Sequence, residues 1–231
     1  MRPKWKSPIY ILRTRLGKRI EIDVTTSISA ALPPHKVIQD EVIPYLKRRG
    51  NVRTILDFGA GALRHTIPLL RAGFEVCAVE FDETFRRPVC SKALKKVTRN
   101  SNFTKLIWPR DFIRDRRKFD AALLSFVLQT MPIHSERKQV LKYIYKKLRT
   151  DSCLIYLSRY GQVVKSMKNY RVKDGFYMWP KRTRHSFYRE FTTEETHLLM
   201  ESFKFNRLRS LSNRGTEQVI VYGKGDCTWI R

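Results

Sequence analysis

Two hydrophobic rhythms alternate through the middle of the chain. Residues 52–58, Val-Arg-Thr-Ile-Leu-Asp-Phe, read as a buried strand running into Gly59-Ala60-Gly61, and a helical pattern follows to about Leu70, where Gly73 closes it. Residues 75–80 form a second strand pattern, residues 82–99 a basic helix, 105–107 a short third strand and 119–125 a fourth. Val140, Leu141, Ile144 and Leu148 fall on one face of a helix over 133–149, and Cys153-Leu154-Ile155-Tyr156-Leu157 makes a fifth strand. Strands that alternate with helices in this way predict βαβ units around a mostly parallel sheet.

The flanks differ from this core. Residues 1–34 read as an irregular extension with one alternating run, Ile20-Glu21-Ile22-Asp23-Val24, stopped by Pro33-Pro34. Ile38, Val42 and Leu46, four apart, mark a helix over 36–49 in which Pro44 is placed to bend the axis. Residues 159–191 are basic, aromatic and poorly periodic. Thr192 and Glu195 then make a capping box for a helix to about Phe203. Strand-like runs near 205–211 and 218–222 complete the sheet as an antiparallel edge pair. The expected organisation is an extension over 1–35 and one α/β domain over 36–231, with an insertion at 159–191.

A strand that enters Gly-x-Gly and then a helix builds a site from backbone. Gly59 and Gly61 permit conformations and approaches that a Cβ blocks, and the helix start offers unpaired N–H groups. Glu80 lies 19 residues beyond Gly61, at the end of the adjacent strand. A carboxylate there is placed to accept both hydroxyls of a ribose, as in dinucleotide folds. Asp111, after the third strand, is placed to meet an adenine amino group, and Ser125 ends the fourth strand on the edge where open α/β sheets bind ligands. Arg64 stands where a dinucleotide fingerprint has its third glycine, and no Gly-Lys-Ser/Thr ending is present, so neither an NAD site nor a P-loop fits.

Residues from about 36 to 158 resemble the class I S-adenosylmethionine-dependent methyltransferases, whose fold is Rossmann-like with a seven-stranded sheet. The resemblance lies in 52–61 for the first motif, 76–81 for the second, Asp111-Phe112 for the third and 122–131 for the fourth. The amphipathic helix and turn over 137–157 are similar to the next element. It implies that Asp57, Gly59, Ala60 and Gly61 cradle the methionine part of S-adenosylmethionine. It further implies that Glu80 holds the ribose, Phe81 packs on the adenine and Asp111 binds its edge. Ala62 departs mildly from the family's third glycine.

Charge bears on the methyl acceptor. Lys and Arg outnumber Asp and Glu by 47 to 21, a formal net charge of +26, which concentrates polyanions around the chain. Nucleic acid is therefore the expected acceptor. The alternatives are a small molecule, a protein, or a cofactor-binding module without turnover. The Asn/Asp-Pro-Pro-Tyr element of amino-directed DNA methyltransferases is missing at Ser125-Phe126-Val127-Leu128, and no cysteine between Cys90 and Cys153 is available to attack a cytosine. His134, just after the fourth strand, is the candidate base. His35 precedes the first helix, and Arg64 and His65 follow the glycine loop, where a cofactor carboxylate is within their expected reach. Residues 159–191 hold nine Lys or Arg and eight aromatics. Trp179, Arg182, Arg184 and Tyr188 from this segment are the expected substrate platform, since bases stack on rings while cations follow phosphates. A satellite core around Phe176, Trp179 and Phe187 is the competing reading. The four scattered cysteines match no metal or disulfide pattern, and no apolar run reaches the length of a membrane span. A reduced, cytoplasmic setting is expected.

Overall fold

A computed structural model of the chain describes residues 7–27, 33–159, 170–178, 184–212 and 217–225. Strands β1 (Ile9–Arg13) and β2 (Arg19–Asp23) form a hairpin, and a 3-10 turn, Val24–Ser27, follows. A π-helical turn, Ile38–Val42, leads into α1 (Ile43–Arg48). The alternating core then runs β3 (Thr54–Phe58), α2 (Thr66–Arg71), β4 (Glu75–Glu80), α3 (Asp82–Arg86), α4 (Pro88–Val97), β5 (Phe103–Ile107) and α5 (Arg110–Arg114). It continues through β6 (Phe119–Ser125), α6 (Val127–Thr130), α7 (His134–Lys147) and β7 (Leu148–Arg159). Three short strands follow, β8 (Arg171–Val172), β9 (Gly175–Met178) and β10 (Ser186–Tyr188), then α8 (Thr193–Glu201), β11 (Phe205–Ser212) and β12 (Glu217–Lys224).

The main sheet has seven strands in the order β11-β12-β7-β6-β3-β4-β5. Strands β7, β6, β3, β4 and β5 are parallel, whereas β12 pairs antiparallel with β7 and β11 with β12. This is the expected α/β sheet with an antiparallel edge. Side chains alternate between its two faces, as a pleated strand requires. Leu56, Phe58, Val79, Leu124 and Tyr156 pack on one face with α7 and α8. Ile55, Val76, Ala78, Leu123 and Ile155 pack on the other with α1 and α2. Cys77 and Cys153 are small core residues, 3% and 0% exposed. Burying both faces accounts for the nearly unbroken apolar runs of the central strands.

Three local expectations change. The basic helix over 82–99 is two helices, because Arg87 precedes Pro88 and takes an extended ψ of 141°, which proline imposes on the residue before it. The stripe Ile38, Val42 and Leu46 is buried as expected, but its first turn is π-helical rather than bent at Pro44. Within the N-terminal extension, residues 9–27 are not irregular. Their alternation buries Ile20 and Ile22 against Val172 and Phe187, and β2 touches residue 185 through an Ile22–His185 bridge. Together β1–β2 and β8–β10 cover the carboxyl edge of the main sheet.

Five side-chain contacts fasten this cover. Tyr10 Oη donates to Glu136 Oε2 of α7 at 2.8 Å, and the Arg87 guanidinium donates to the Thr25 carbonyl. Asp174, in the β8–β9 turn, accepts from the fully buried Arg137 and from Arg189. Arg189 also reaches Glu195 Oε1 at 3.1 Å, at the start of α8. Thr192 and Glu195 form the expected capping box, with N–H to side-chain distances of 3.0 and 3.1 Å.

Candidate active site

The cleft between the sheet edge and its cover holds about 640 Å³, within the range of small-molecule sites. Its floor is the loop after β3. Gly59 has φ +75°, and a Cβ there would lie 2.3 Å from Val127 Cγ2. Gly61 has φ +51°. The N–H groups of Gly59 and Ala60 donate to the Val79 carbonyl at 2.9 and 3.2 Å, which pulls the loop onto the end of β4. Glu80 completes the lock. Its Oε2 accepts from the Gly61 N–H at 3.1 Å and its Oε1 from the Phe81 N–H at 2.9 Å. Burial pushes this carboxyl up to about 7, against those two N–H groups, which favour the ionised form.

The walls follow the strand order. Phe81 and Trp108 stand on the β4–β5 side, and Ser125 and Phe126 end β6. Arg159 ends β7. Phe126 holds φ +59°, a costly conformation for a residue with a Cβ, and its N–H donates to the Leu157 carbonyl at 2.9 Å. Gln129, only 2% exposed, accepts from the Arg159 N–H at 2.9 Å and donates to the Arg159 carbonyl, which also accepts from Tyr188 Oη at 3.2 Å. Tyr10, Thr25, Ser27, Met178, Phe187 and Tyr188 close the cleft from the cover.

A third group of residues lies at the β7–β12 end. His35 Nδ1 is 3.0 Å from Glu217 Oε2, and Arg159 Nε is 3.3 Å from Glu217 Oε1. The His35 ring sits 4.9 Å from Phe126 and 5.5 Å from His65. Burial, then the neighbouring Arg64 and His35, push the His65 imidazole down to about 3, so it is neutral at neutral pH. Ser27 Oγ, Arg64 Nε, His65 Nε2 and Ser125 Oγ are buried cleft atoms with no hydrogen-bond partner among the described residues. Each such atom costs about 1–3 kcal/mol unless a ligand satisfies it, so their gathering at one cleft fits a polar guest.

The sequence-derived site separates into two sets. Gly59, Ala60, Gly61, Glu80, Phe81, Ser125 and Tyr188 line the cleft. Asp57, Asp111, Phe112, His134 and Arg184 do not. Asp57 lies behind the loop, 2% exposed, where its Oδ2 accepts from Thr66 Oγ1 at 2.5 Å and burial raises its carboxyl to about 6. Asp111 pairs with Arg110 at 2.8 Å and accepts from the Ile107 N–H at 3.2 Å, so it caps the end of β5. Phe112 is wholly buried against Phe58 and Trp108. His134, the expected base, is exposed at the start of α7, outside the cleft lining. Arg184 turns to Glu21 and Asp23, at 3.4 and 3.5 Å. Trp179 and Arg182 lie outside the described residues. Phe187, 1% exposed, belongs to the satellite core while one side bounds the cleft. Trp108, Gln129 and Arg159 were missed. Arg159 was within reach of the rule that ligands meet the carboxyl ends of parallel strands.

No protein-family model matches the chain, and no curated protein sequence matches it. Solved structures do. A SAM-dependent methyltransferase from Methanosarcina mazei has a TM-score of 0.62 and 19% identity over 84% of this chain and 99% of that one. The 1,6-didemethyltoxoflavin-N1-methyltransferase of Burkholderia thailandensis, solved with 1,6-didemethyltoxoflavin and S-adenosylhomocysteine, has a TM-score of 0.58 and 22% identity, covering 82% and 81%. The magnesium protoporphyrin IX methyltransferase of Synechocystis, solved with S-adenosylhomocysteine, has a TM-score of 0.58 and 16% identity, covering 82% and 83%. At these identities the likeness is one of architecture: the chain has the fold of the class I S-adenosylmethionine-dependent methyltransferases.

Proposed function

We propose that this protein is an S-adenosylmethionine-dependent methyltransferase acting on a small molecule held in the covered cleft. The observation that carries the reading is Glu80, whose carboxylate is tied to the Gly61 N–H and still faces a cleft of about 640 Å³. Glu80 would hold the ribose hydroxyls of the cofactor, and Phe81 and Trp108 would flank its flat base. The loop over 59–61 would leave room for its backbone-close part, with Arg64 and His65 near its charged end. When bound, the cofactor supplies a methyl group on a sulfonium, and transfer to a nucleophile relies chiefly on positioning. The cover shapes the acceptor side through Tyr10, Met178 and Tyr188.

The small-molecule acceptor replaces the nucleic acid expected from charge. The similar structures from Burkholderia thailandensis and Synechocystis carry small molecules in their names. Arg184, the described cation of the expected platform, is engaged with Glu21 and Asp23 rather than with the cleft. Calorimetry with S-adenosylmethionine, followed by S-adenosylhomocysteine release against pools of aromatic metabolites, RNA and DNA, tests both layers. Binding with turnover only on small molecules is expected. Turnover only on RNA or DNA would reinstate the charge-based acceptor, and no cofactor binding would end the methyltransferase reading.

A further inference from the structure

We propose that the outer side of α5 and α7, with the loop between α5 and β6, binds the phosphate backbone of a nucleic-acid duplex, as a docking surface apart from the cleft. This goes beyond the methyltransferase reading and does not rest on it. Residues 110–118 and 134–147 hold ten Lys or Arg and three acids, Asp111, Asp115 and Glu136. All three acids are engaged: Asp111 with Arg110, Asp115 with Arg117 and Lys147, and Glu136 with Tyr10. Arg137 is turned inward to Asp174. Arg114, Arg116, Lys118, Lys138, Lys142 and Lys146 remain, all exposed and without an ion pair among the described residues. None of the six lines the cleft.

These cations adjoin. Lys138, Lys142 and Lys146 recur every four residues, so they share one side of α7 at steps of about 6 Å. Lys118 Nζ donates to the Lys146 carbonyl, and Lys147 Nζ lies 3.8 Å from Asp115 Oδ1, which joins the 114–118 segment to the last turn of α7. Like charges four apart weaken a helix, and a polyanion lying along them relieves that repulsion. The crowding reaches β12, where burial and then the Lys118 charge lower the Lys224 pKa. Two absences select the partner. The large hydrophobics exposed among the described residues, Ile9, Ile11, Leu16 and Leu198, lie on other elements, so the strip has nothing to insert into a bilayer. Its aromatics, Tyr143 and Tyr145, are partly buried and pack on Trp108 and Phe205, so it has no free ring for an unpaired base. A line of point charges without rings suits the evenly spaced phosphates of a duplex and reads no base.

The test measures fluorescence anisotropy of a labelled, mixed-sequence DNA duplex with the full chain across a range of salt. The wild type is expected to bind, with log affinity falling linearly against log salt. Lys138→Ala, Lys142→Ala and Lys146→Ala combined should make that slope shallower by about 2.7, or about 0.9 for each phosphate released. Melting temperature and S-adenosylmethionine affinity should not change. Arg114→Ala with Arg116→Ala, outside the long run of α7, should make the slope shallower by about 1.8 and decides the matter if the first variant does not fold. The control is Lys92→Ala, Lys95→Ala and Lys96→Ala, three exposed lysines of α4, which packs on the opposite face of the sheet. It removes the same charge and should leave the slope nearly as in the wild type. An equal flattening there would mean diffuse attraction by net charge and overturns the proposal. No duplex binding at low salt, an unchanged slope in the α5 and α7 variants, or tighter binding to single strands overturns it too. So does binding to phosphatidylserine–phosphatidylcholine vesicles without binding to the duplex. Failure to bind S-adenosylmethionine refutes the methyltransferase reading instead and leaves every arm above intact.

Discussion

The wall of the cleft built on the main sheet and the wall built from β1–β2 and β8–β10 are held by different forces. The sheet wall is fixed through backbone N–H groups: those of Gly59 and Ala60 on the Val79 carbonyl, and that of Gly61 on the Glu80 carboxylate. The cover is fixed mainly by side chains, through Asp174 with Arg137 and Arg189, Tyr10 on Glu136, and a core of four buried residues, Ile20, Ile22, Val172 and Phe187, beside one backbone bond from the Arg189 N–H to the Gln129 carbonyl. Backbone geometry tolerates many side chains but few changes of glycine. A side-chain clasp leaves the sheet intact when it is cut. On the proposed function, the first wall suits a fixed cofactor and the second suits variation in the acceptor.

The largest effect should come from Gly59→Ala. The new Cβ would meet Val127 Cγ2 at 2.3 Å in a left-handed conformation. Overpacking and backbone strain together should cost about 2–5 kcal/mol of stability. Cofactor binding should be lost with them. Thermal melts and calorimetry measure the two effects, and an unchanged cofactor affinity would refute a floor set by backbone.

Arg137→Ala should cut the clasp rather than the floor. Arg137 is 0% exposed and donates to Asp174 and, at 2.5 Å, to the Met131 carbonyl. Truncating one member of a buried pair costs about 3–5 kcal/mol, and Asp174 keeps Arg189, so about 3 kcal/mol is expected. Hydrogen exchange should quicken over 171–178 and stay slow in β3 and β4. Equal acceleration in both walls would mean that they unfold as one unit.

The contrast also decides what the sequence disclosed. Gly59, Gly61 and Glu80 are legible because they act through local chain geometry: a strand, a turn, a helix and the next strand end. Asp57 precedes the same glycines and was grouped with them, but alternation on β3 and the turn direct it to Thr66, behind the loop. The hydrophobic pattern places a residue on a face and does not tell whether a carboxylate there meets ligand or backbone, so it could not foretell that Asp111 pairs with Arg110 and the Ile107 N–H. The cover was not legible as one body. Its pairings, Thr14 with Val172 and Ile22 with His185, join distant parts of the chain, and its strands are two to five residues long, too short for a period to stand out. His35 and Glu217 meet across a similar separation.

Glu80→Ala should weaken cofactor binding by roughly 1.5–3 kcal/mol, the value of hydrogen bonds to a charged group. Melting should change less, because Glu80 adds no core volume. Affinity should depend on pH as well. Burial raises the Glu80 carboxyl from 4.5 to about 7, so the folded chain binds a proton there that the unfolded chain has already lost. Its contribution to stability therefore falls as pH rises from about 4.5 to about 7. Cofactor affinity should move the opposite way, since the ionised form accepts the ribose hydroxyls. Calorimetry between pH 6 and 8 should show affinity rising by up to about tenfold per pH unit below the midpoint. A flat profile in the wild type, or an unchanged slope in Glu80→Gln, would remove Glu80 from the role.

The smallest effect is expected at Asp111. Its side chain is 35% exposed and its partner Arg110 is 63% exposed, so the 2.8 Å pair is open to solvent. The Arg110 hydrogen bond holds the carboxyl below its ordinary range, and the Ile107 N–H adds to this. Exposed pairs of this kind contribute about 0–1 kcal/mol. Asp111→Asn keeps an oxygen for the Ile107 N–H and should shift cofactor affinity by less than about 0.5 kcal/mol, in the range of ordinary surface changes. Asp111→Asn and Glu80→Gln each replace one carboxylate with an amide, near the carboxyl ends of adjacent strands, so they differ mainly in whether the group faces the cleft. A loss at Asp111 equal to that at Glu80 would mean that the loop after β5 turns inward when the cofactor binds.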